Sequence, residues 1–226
     1  MKSYQRYFSV CLLALFAPAA FGQAPDMGDA LDFAVLGGTN VTCTAGVVTG
    51  DIGVSPGSAV PFTNTGCVIT GDTPPATNRA AARARADFLS AYDDARALPC
   101  PSGNVLLSTI TGPVTLLPGV YCTGAALTGA GKLTLDAQGD PDAVWVFQIG
   151  TAATGALTGT NFNVLMSNGG LASNVWWVAG SATMTDSTFV GSMLAGGTIT
   201  VTRGSFHGDA WATAAVVLDA TILKGR

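Results

Sequence analysis

"MTDSTF" at Met184–Phe189 and "VTRGSF" at Val201–Phe206 are two copies of one unit, and "LTGTNF" at Leu157–Phe162 reads as a third. Each holds an apolar residue, a Thr, two variable positions, a Ser, Thr or Asn, and then Phe. Phe189 and Phe206 close consecutive copies, and the weaker copy "LDATILKG" (Leu218–Gly225) puts Ile222 at almost the same interval further on. Elsewhere "VTCTAGVVTGD" (Val41–Asp51) is echoed by "TNTGCVITGD" (Thr63–Asp72), and that in turn by "TRGSFHGD" (Thr202–Asp209). A short unit with a Gly-marked corner and one fixed apolar residue is the pattern of stacked coils in a β-solenoid. A β-sandwich carrying an inserted helix is the alternative, and the recurrence of the unit favours the solenoid. On a straight strand Thr185 and Phe189 face the same side. With Phe189 inside, the unit therefore has to bend, and the Gly and Asp in its middle are corner residues.

Around these coils the chain is of the same character, with short Thr, Val, Leu and Phe runs broken by Gly, Asn and Asp. The runs "AVWVFQIG" (Ala143–Gly150) and "NVWWVAG" (Asn174–Gly180) read as buried strands. Trp176 and Trp177 are adjacent and so face opposite sides of a strand: one belongs to the core, and the other is placed to pack under a helix. A single segment differs. From Thr73 to Pro99 the chain is rich in Ala and Arg and free of Gly, and Phe88, Leu89, Tyr92 and Ala95 fall on one helical stripe. Pro75 and Pro99 suit its start and stop. One helix over about 78–97 is predicted, with Arg79, Arg83 and Arg85 on a solvated face.

The first 22 residues read as a secretory signal peptide, leaving residues 23–226 as a single domain. Lys2 and Arg6 precede an apolar run from Tyr7 to Ala17, and Ala20 and Gly22 are the small residues before a cut at Gln23. The run is short for a membrane span, so no membrane partner is expected after cleavage. All 14 acids are Asp, and removing Lys2 and Arg6 from the 10 basic residues leaves 8, a net charge of 8 − 14 = −6. That balance argues against nucleic acid, whose recognition requires a basic face. The four remaining cysteines, Cys43, Cys67, Cys100 and Cys122, are an even number in an exported chain, which predicts two disulfides. Spacing leaves the pairing open. Cys43–Cys67 with Cys100–Cys122 is preferred because each closes a short loop.

Several blocks in order carry a resemblance: "LDFAVLGGTNVT" (Leu31–Thr42), "GDIGVSPGSAV" (Gly50–Val60), the Ala-rich helix, "LLPGVYC" (Leu116–Cys122), "LTLDAQGDPDAVWVFQIG" (Leu133–Gly150) and "STFVGSMLAGGTITV" (Ser187–Val201). Together they resemble the bacterial and fungal ice-binding proteins of the DUF3494 type. The resemblance implies a discontinuous right-handed β-helix, triangular in section, with one long α-helix alongside. It implies a secreted protein of cold-living microbes that adsorbs to ice through one flat face bearing a loose Thr-(Ala/Gly)-x-(Thr/Asn) motif. Physically, Thr suits such a face. Its methyl excludes disordered water, its hydroxyl donates and accepts, and its branched Cβ leaves little rotamer entropy to lose.

Fitted to that motif, Thr158-Gly159-Thr160-Asn161 matches throughout. Thr151-Ala152-Ala153-Thr154 also matches but follows a strand directly and reads as a loop. Thr185-Asp186-Ser187-Thr188, Thr202-Arg203-Gly204-Ser205 and Leu218-Asp219-Ala220-Thr221 match in part. The candidate ice-contacting residues are therefore Thr158, Thr160, Asn161, Thr185, Ser187, Thr188, Thr202, Ser205 and Thr221. Asp186 and Arg203 are placed to pair across neighbouring coils.

No catalytic constellation competes. The single His207 reads as a solvent-facing strand residue, and there is neither a nucleophile elbow nor Cys/His metal spacing. Asp136, Asp140 and Asp142 lack the spacing and closing Glu of a calcium loop and read as turn formers. Asp186 with Arg203 lacks the clustered acids and bases that sugar chemistry uses. A monomeric non-enzyme without cofactor is expected, its partner an ice crystal surface. The alternative is a secreted structural or adhesion module with weak or no ice affinity.

Overall fold

The computed structural model describes residues 23–57, 61–73, 79–106 and 108–226. The expected signal peptide and the first residue of the expected helix lie outside these. Among the described residues every strand pairing is parallel, and one sheet has seven strands and the other thirteen. The larger sheet is folded along a corner, so the β-helix has three faces.

The corner shows in the backbone. Ser181–Val190, Ile199–His207 and Val216–Lys224 are each one long strand, bent where Asp186, Arg203 and Ala220 take φ of 50°, 53° and 49°. Ala45, Gly66 and Asn161 hold the same left-handed turn in other coils. Gly204 is needed beside this corner, since a Cβ there would lie 2.2 Å from the Ser187 carbonyl oxygen.

Inside, aromatic rings form a column that climbs the coils. Tyr121, Phe147, Trp177, Phe189 and Phe206 follow one another with centroids 5.6, 3.9, 5.0 and 5.0 Å apart. Each such contact is worth about 0.5–1.5 kcal/mol beyond burial. Phe189 and Phe206 pair as the repeat predicted. The next partner is Leu223, not Ile222, so the interval from Phe189 to Phe206 is repeated unchanged and Ile222 points outward, 56% exposed. "LTGTNF" is likewise out of frame. Thr160 pairs with Thr185 and Asn163 with Thr188, which sets Phe162 level with Ser187 at the corner. There its ring fills the space beneath Gly129, where a Cβ would come within 2.6 Å of it.

The helix Arg79–Ala97 lies along the seven-stranded sheet. Its buried stripe of Ala81, Ala84, Phe88, Ala91, Tyr92 and Ala95 meets the outer side of that sheet, including Trp176 and Trp211, while Trp177 enters the central core. Gln148 Nε2 donates to the carbonyls of Ala95 and Leu98 at the helix end. Arg83 is exposed and paired with Asp29.

The coils are not stacked in chain order. From Thr109 onward they climb to Val216–Lys224, and the first coil then sits on the last: Val35 pairs with Ala210, Val41 with Val216 and Val47 with Ile222. Ile52–Val54, Phe62–Thr65 and Val68–Ile69 add the outermost turn. The helix carries the chain back to the opposite end. Cys43–Cys67 ties the outermost turn to its neighbour, and Cys100–Cys122 ties the segment after the helix to the far end.

Candidate functional site

Before the corner, one face of the larger sheet carries Thr at nearly every outward position. In register along the stack stand Thr63, Thr42, Val217, Thr200, Thr183, Thr158, Thr128 and Thr109. Two residues further along the strands a second column reads Thr65, Thr44, Asp219, Thr202, Thr185 and Thr160. Strand geometry spaces the rows by ~4.7–4.9 Å and the columns by roughly 6.5–7 Å.

The inward positions explain why the face is level. Between the two columns the chain turns Cys43, Leu218, Val201, Met184, Gly159 and Gly129 into the core. Where Phe162 and Met184 fill the interior, only Gly fits, since a Cβ on Gly159 would lie 2.5 Å from Met184 Sδ. The hydroxyls of Thr158, Thr160, Thr183, Thr185, Thr200 and Thr202 have no protein hydrogen-bond partner among the described residues. Their polar valences are left to water.

Charge is kept to the margin. Asp186 and Arg203 sit at the corner and pair across adjacent coils, both contacts 2.7 Å. The Arg203 hydrogen bond holds the Asp186 carboxyl below its usual range. Asp219 alone brings a carboxylate into the columns. The face beyond the corner is mixed, with exposed Val68, Ile222, Lys132, His207 and Lys224.

The sequence candidates divide among these places. Thr158, Thr160, Thr185 and Thr202 stand on the threonine face. Asn161 is exposed at the corner. Thr188 and Ser205 lie beyond it on the third face. Ser187 and Thr221 are 3% and 0% exposed. Ser187 Oγ donates to the Thr185 carbonyl and accepts from Phe162 N–H, and Thr221 Oγ1 donates to the Gly204 carbonyl. Thr151–Ala153 is a short 3-10 turn off the face. Thr42, Thr44, Thr63, Thr65, Thr109, Thr128, Thr183 and Thr200 were missed. Thr183 and Thr200 recur at the interval that separates Phe189 from Phe206, so the period that found the Phe pair could have found them.

The family model described as Ice-binding-like matches residues 35–224. The chain belongs to the Ice-binding-like family. It is 38% identical over 184 residues to the ice-binding protein of Nostoc sp. (strain HG1), covering 79% of this chain and 64% of that one. It is 32% identical over 213 residues to ice-binding protein 1 of Shewanella frigidimarina (strain NCIMB 400), covering 80% of this chain and 24% of that one. The match thus spans under two thirds of either relative's length. Among solved structures, the ice-binding protein of the Antarctic ascomycete Antarctomyces psychrotrophicus superposes with a TM-score of 0.74 at 30% identity, covering 90% of this chain and 99% of that one. An ice-binding protein from an Antarctic biological consortium gives 0.73 at 35% identity, over 89% and 91%.

Proposed function

We propose that this family member is a secreted ice-binding protein, and that the threonine face is its contact with ice. The carrying observation is the pair of in-register columns whose central hydroxyls have no protein partner among the described residues. A level array of stiff side chains, each carrying a methyl beside a hydroxyl, can hold an ordered water layer with little entropy to lose. The buried row of Cys43, Leu218, Val201 and Met184 behind it keeps the array rigid. The relatives named as ice-binding proteins support the same reading. An adhesion module is less well supported, because protein interfaces concentrate aromatic and Arg side chains and these columns hold neither.

On this reading the contact residues are Thr42, Thr44, Thr63, Thr65, Thr109, Thr128, Thr158, Thr160, Thr183, Thr185, Thr200 and Thr202. Asn161 borders the face. Thr188 and Ser205 belong to another face, and Ser187 and Thr221 serve the corner from within. The protein works as a monomer, without catalysis, cofactor, nucleic acid or membrane. Residues 1–22 are removed on export, leaving one domain from residue 23. Among the described residues no helix is long and apolar enough to cross a membrane.

The test is the freezing hysteresis and shape of a single ice crystal in slow cooling. Thr183→Tyr raises a ring above the plane and should abolish most of the hysteresis, with circular dichroism unchanged. Ser205→Tyr, on the third face, should leave it intact. Unshaped growth with the unsubstituted protein would end the ice-binding reading, and the reverse ranking of the two variants would move the site to the third face.

A further inference from the structure

The winding leaves a nick in the solenoid. The coils run continuously from Thr109 to Lys224, but the strand above Ala210–Ala212 in the helix-side sheet comes from the first coil. Val35 takes that place, paired with Ala210 and entering from Ala34. The threonine columns cross this nick. Thr109 through Asp219 belong to one stretch of chain, and Thr42, Thr44, Thr63 and Thr65 belong to the stretch beyond it.

Arg226 stands at the break. Its guanidinium donates to Asp209 Oδ2 at 2.5 Å and to Ser192 Oγ at 2.9 Å, and its backbone N–H reaches Asp209 Oδ1 at 3.2 Å. These partners lie 17 and 34 residues earlier, one and two coils down. The same guanidinium lies 4.5 Å from the Trp176 ring centroid and 5.4 Å from that of Trp211. Trp211 spans the break, because its Nε1–H donates to the Phe33 carbonyl at 2.9 Å. Next to Arg226, Gly225 N–H donates to the Thr49 carbonyl. A single side chain thus joins three coils below the nick to the tryptophan that grips the strand above it.

We propose that Arg226 is a positioning residue for the threonine face, closing the nick so that Thr42, Thr44, Thr63 and Thr65 stay in plane and register with the rest. This rests on the threonine face being the ice contact. Without the latch, the last coil and the first coil shift against one another, and a flat crystal plane is met by one part of the face only.

The experiment is a mutant cycle read by freezing hysteresis. Arg226→Ala, Thr42→Tyr and the double variant are compared, with Arg226→Ala/Thr183→Tyr alongside. Arg226→Ala should lower the hysteresis, and adding Thr42→Tyr should lower it no further, because the Thr42 part is already out of plane. Adding Thr183→Tyr should remove what remains. Unchanged hysteresis in Arg226→Ala, or losses from Arg226→Ala and Thr42→Tyr that simply add as independent sites do, would overturn the proposal. If Arg226→Ala lacks the native circular dichroism spectrum, the same cycle is run on Arg226→Lys, which keeps the charge but loses the fork to Asp209 and Ser192. Should Thr183→Tyr alone leave hysteresis unchanged, the face assignment itself fails, whatever Arg226 does.

Discussion

Removing the Arg226 side chain leaves a carboxylate stranded. Asp209 is 1% exposed, and its charge is met by the Arg226 guanidinium, with help from the Ser192 hydroxyl and the Arg226 backbone N–H. Breaking a buried pair from one side costs about 3–5 kcal/mol, which for a chain of this size lowers Tm by about 6–20 °C. The loss depends on pH. Burial pushes the Asp209 carboxyl above its ordinary pKa, and Arg226 pulls it back only in part. An acid whose folded pKa is raised favours the fold fully below its unfolded value of about 3.9, and that contribution is lost as pH rises through the folded pKa. Deleting Arg226 raises the folded pKa further. The gap in stability between the unsubstituted protein and Arg226→Ala should therefore be small near pH 4 and widen toward pH 7. Adding Asp209→Asn removes the charge, so Asp209→Asn/Arg226→Ala should recover most of the loss at pH 7. Calorimetric melting of the three proteins across this range measures it. A gap of equal size at both ends, or no recovery with Asp209→Asn, would refute the stranded charge.

Phe189→Ala, which opens the aromatic column between Trp177 and Phe206, should destabilise the fold by about 3–5 kcal/mol in chemical denaturation; a loss under about 1 kcal/mol would be that of a surface position. Cys43→Ala/Cys67→Ala releases a link between positions 24 residues apart and should lose about 3 kcal/mol. Hydrogen exchange should then rise first in Val41–Thr44 and Phe62–Thr65, and a uniform rise would speak against fraying from the end. Asp219→Thr, which completes the second column, should raise freezing hysteresis. A fall would mean that the carboxylate orders water usefully where it stands.

The parts of the fold that were legible rested on local regularity. The spacing of Phe189 and Phe206 identified a coil, and the Ala-rich stripe of Phe88, Tyr92 and Ala95 identified the helix. The bend between Thr185 and Phe189 followed from strand alternation alone, and the Asp186–Arg203 pair from the alignment of the two repeat copies. What failed was frame. "LTGTNF" looks like "MTDSTF" by composition, but its Phe162 turns in at the corner, where the other coil has Ser187. Aligning the copies by Phe162, Phe189, Phe206 and Ile222 shifted the motifs at Thr185 and Thr202 by two residues and the one at Leu218 by one, and sent Ser187 and Thr221 to a surface they do not reach. That the first coil sits on the last was not legible at all. Thr42 and Val217 lie side by side because the helix returns the chain to the far end, and no local pattern records that return.

The register also changes what the four-residue motif means. In Thr158-Gly159-Thr160-Asn161 the first and third residues point outward, the second points into the core, and the fourth takes the left-handed corner. Only two of the four positions stand on the threonine face. The second is small where Phe162 or Met184 fills the interior, and large where its own side chain must do so, as in Met184, Val201 and Leu218. The fourth needs a residue that tolerates the positive φ found at Asn161 and Asp186, a condition Asn and Asp meet more readily than most. Thr183-Met184-Thr185-Asp186 therefore departs from the motif at two positions and still supplies a Thr to each column. The departures record packing and turn geometry. Among the coils that carry both columns, Val217 and Asp219 alone depart at the two outward positions.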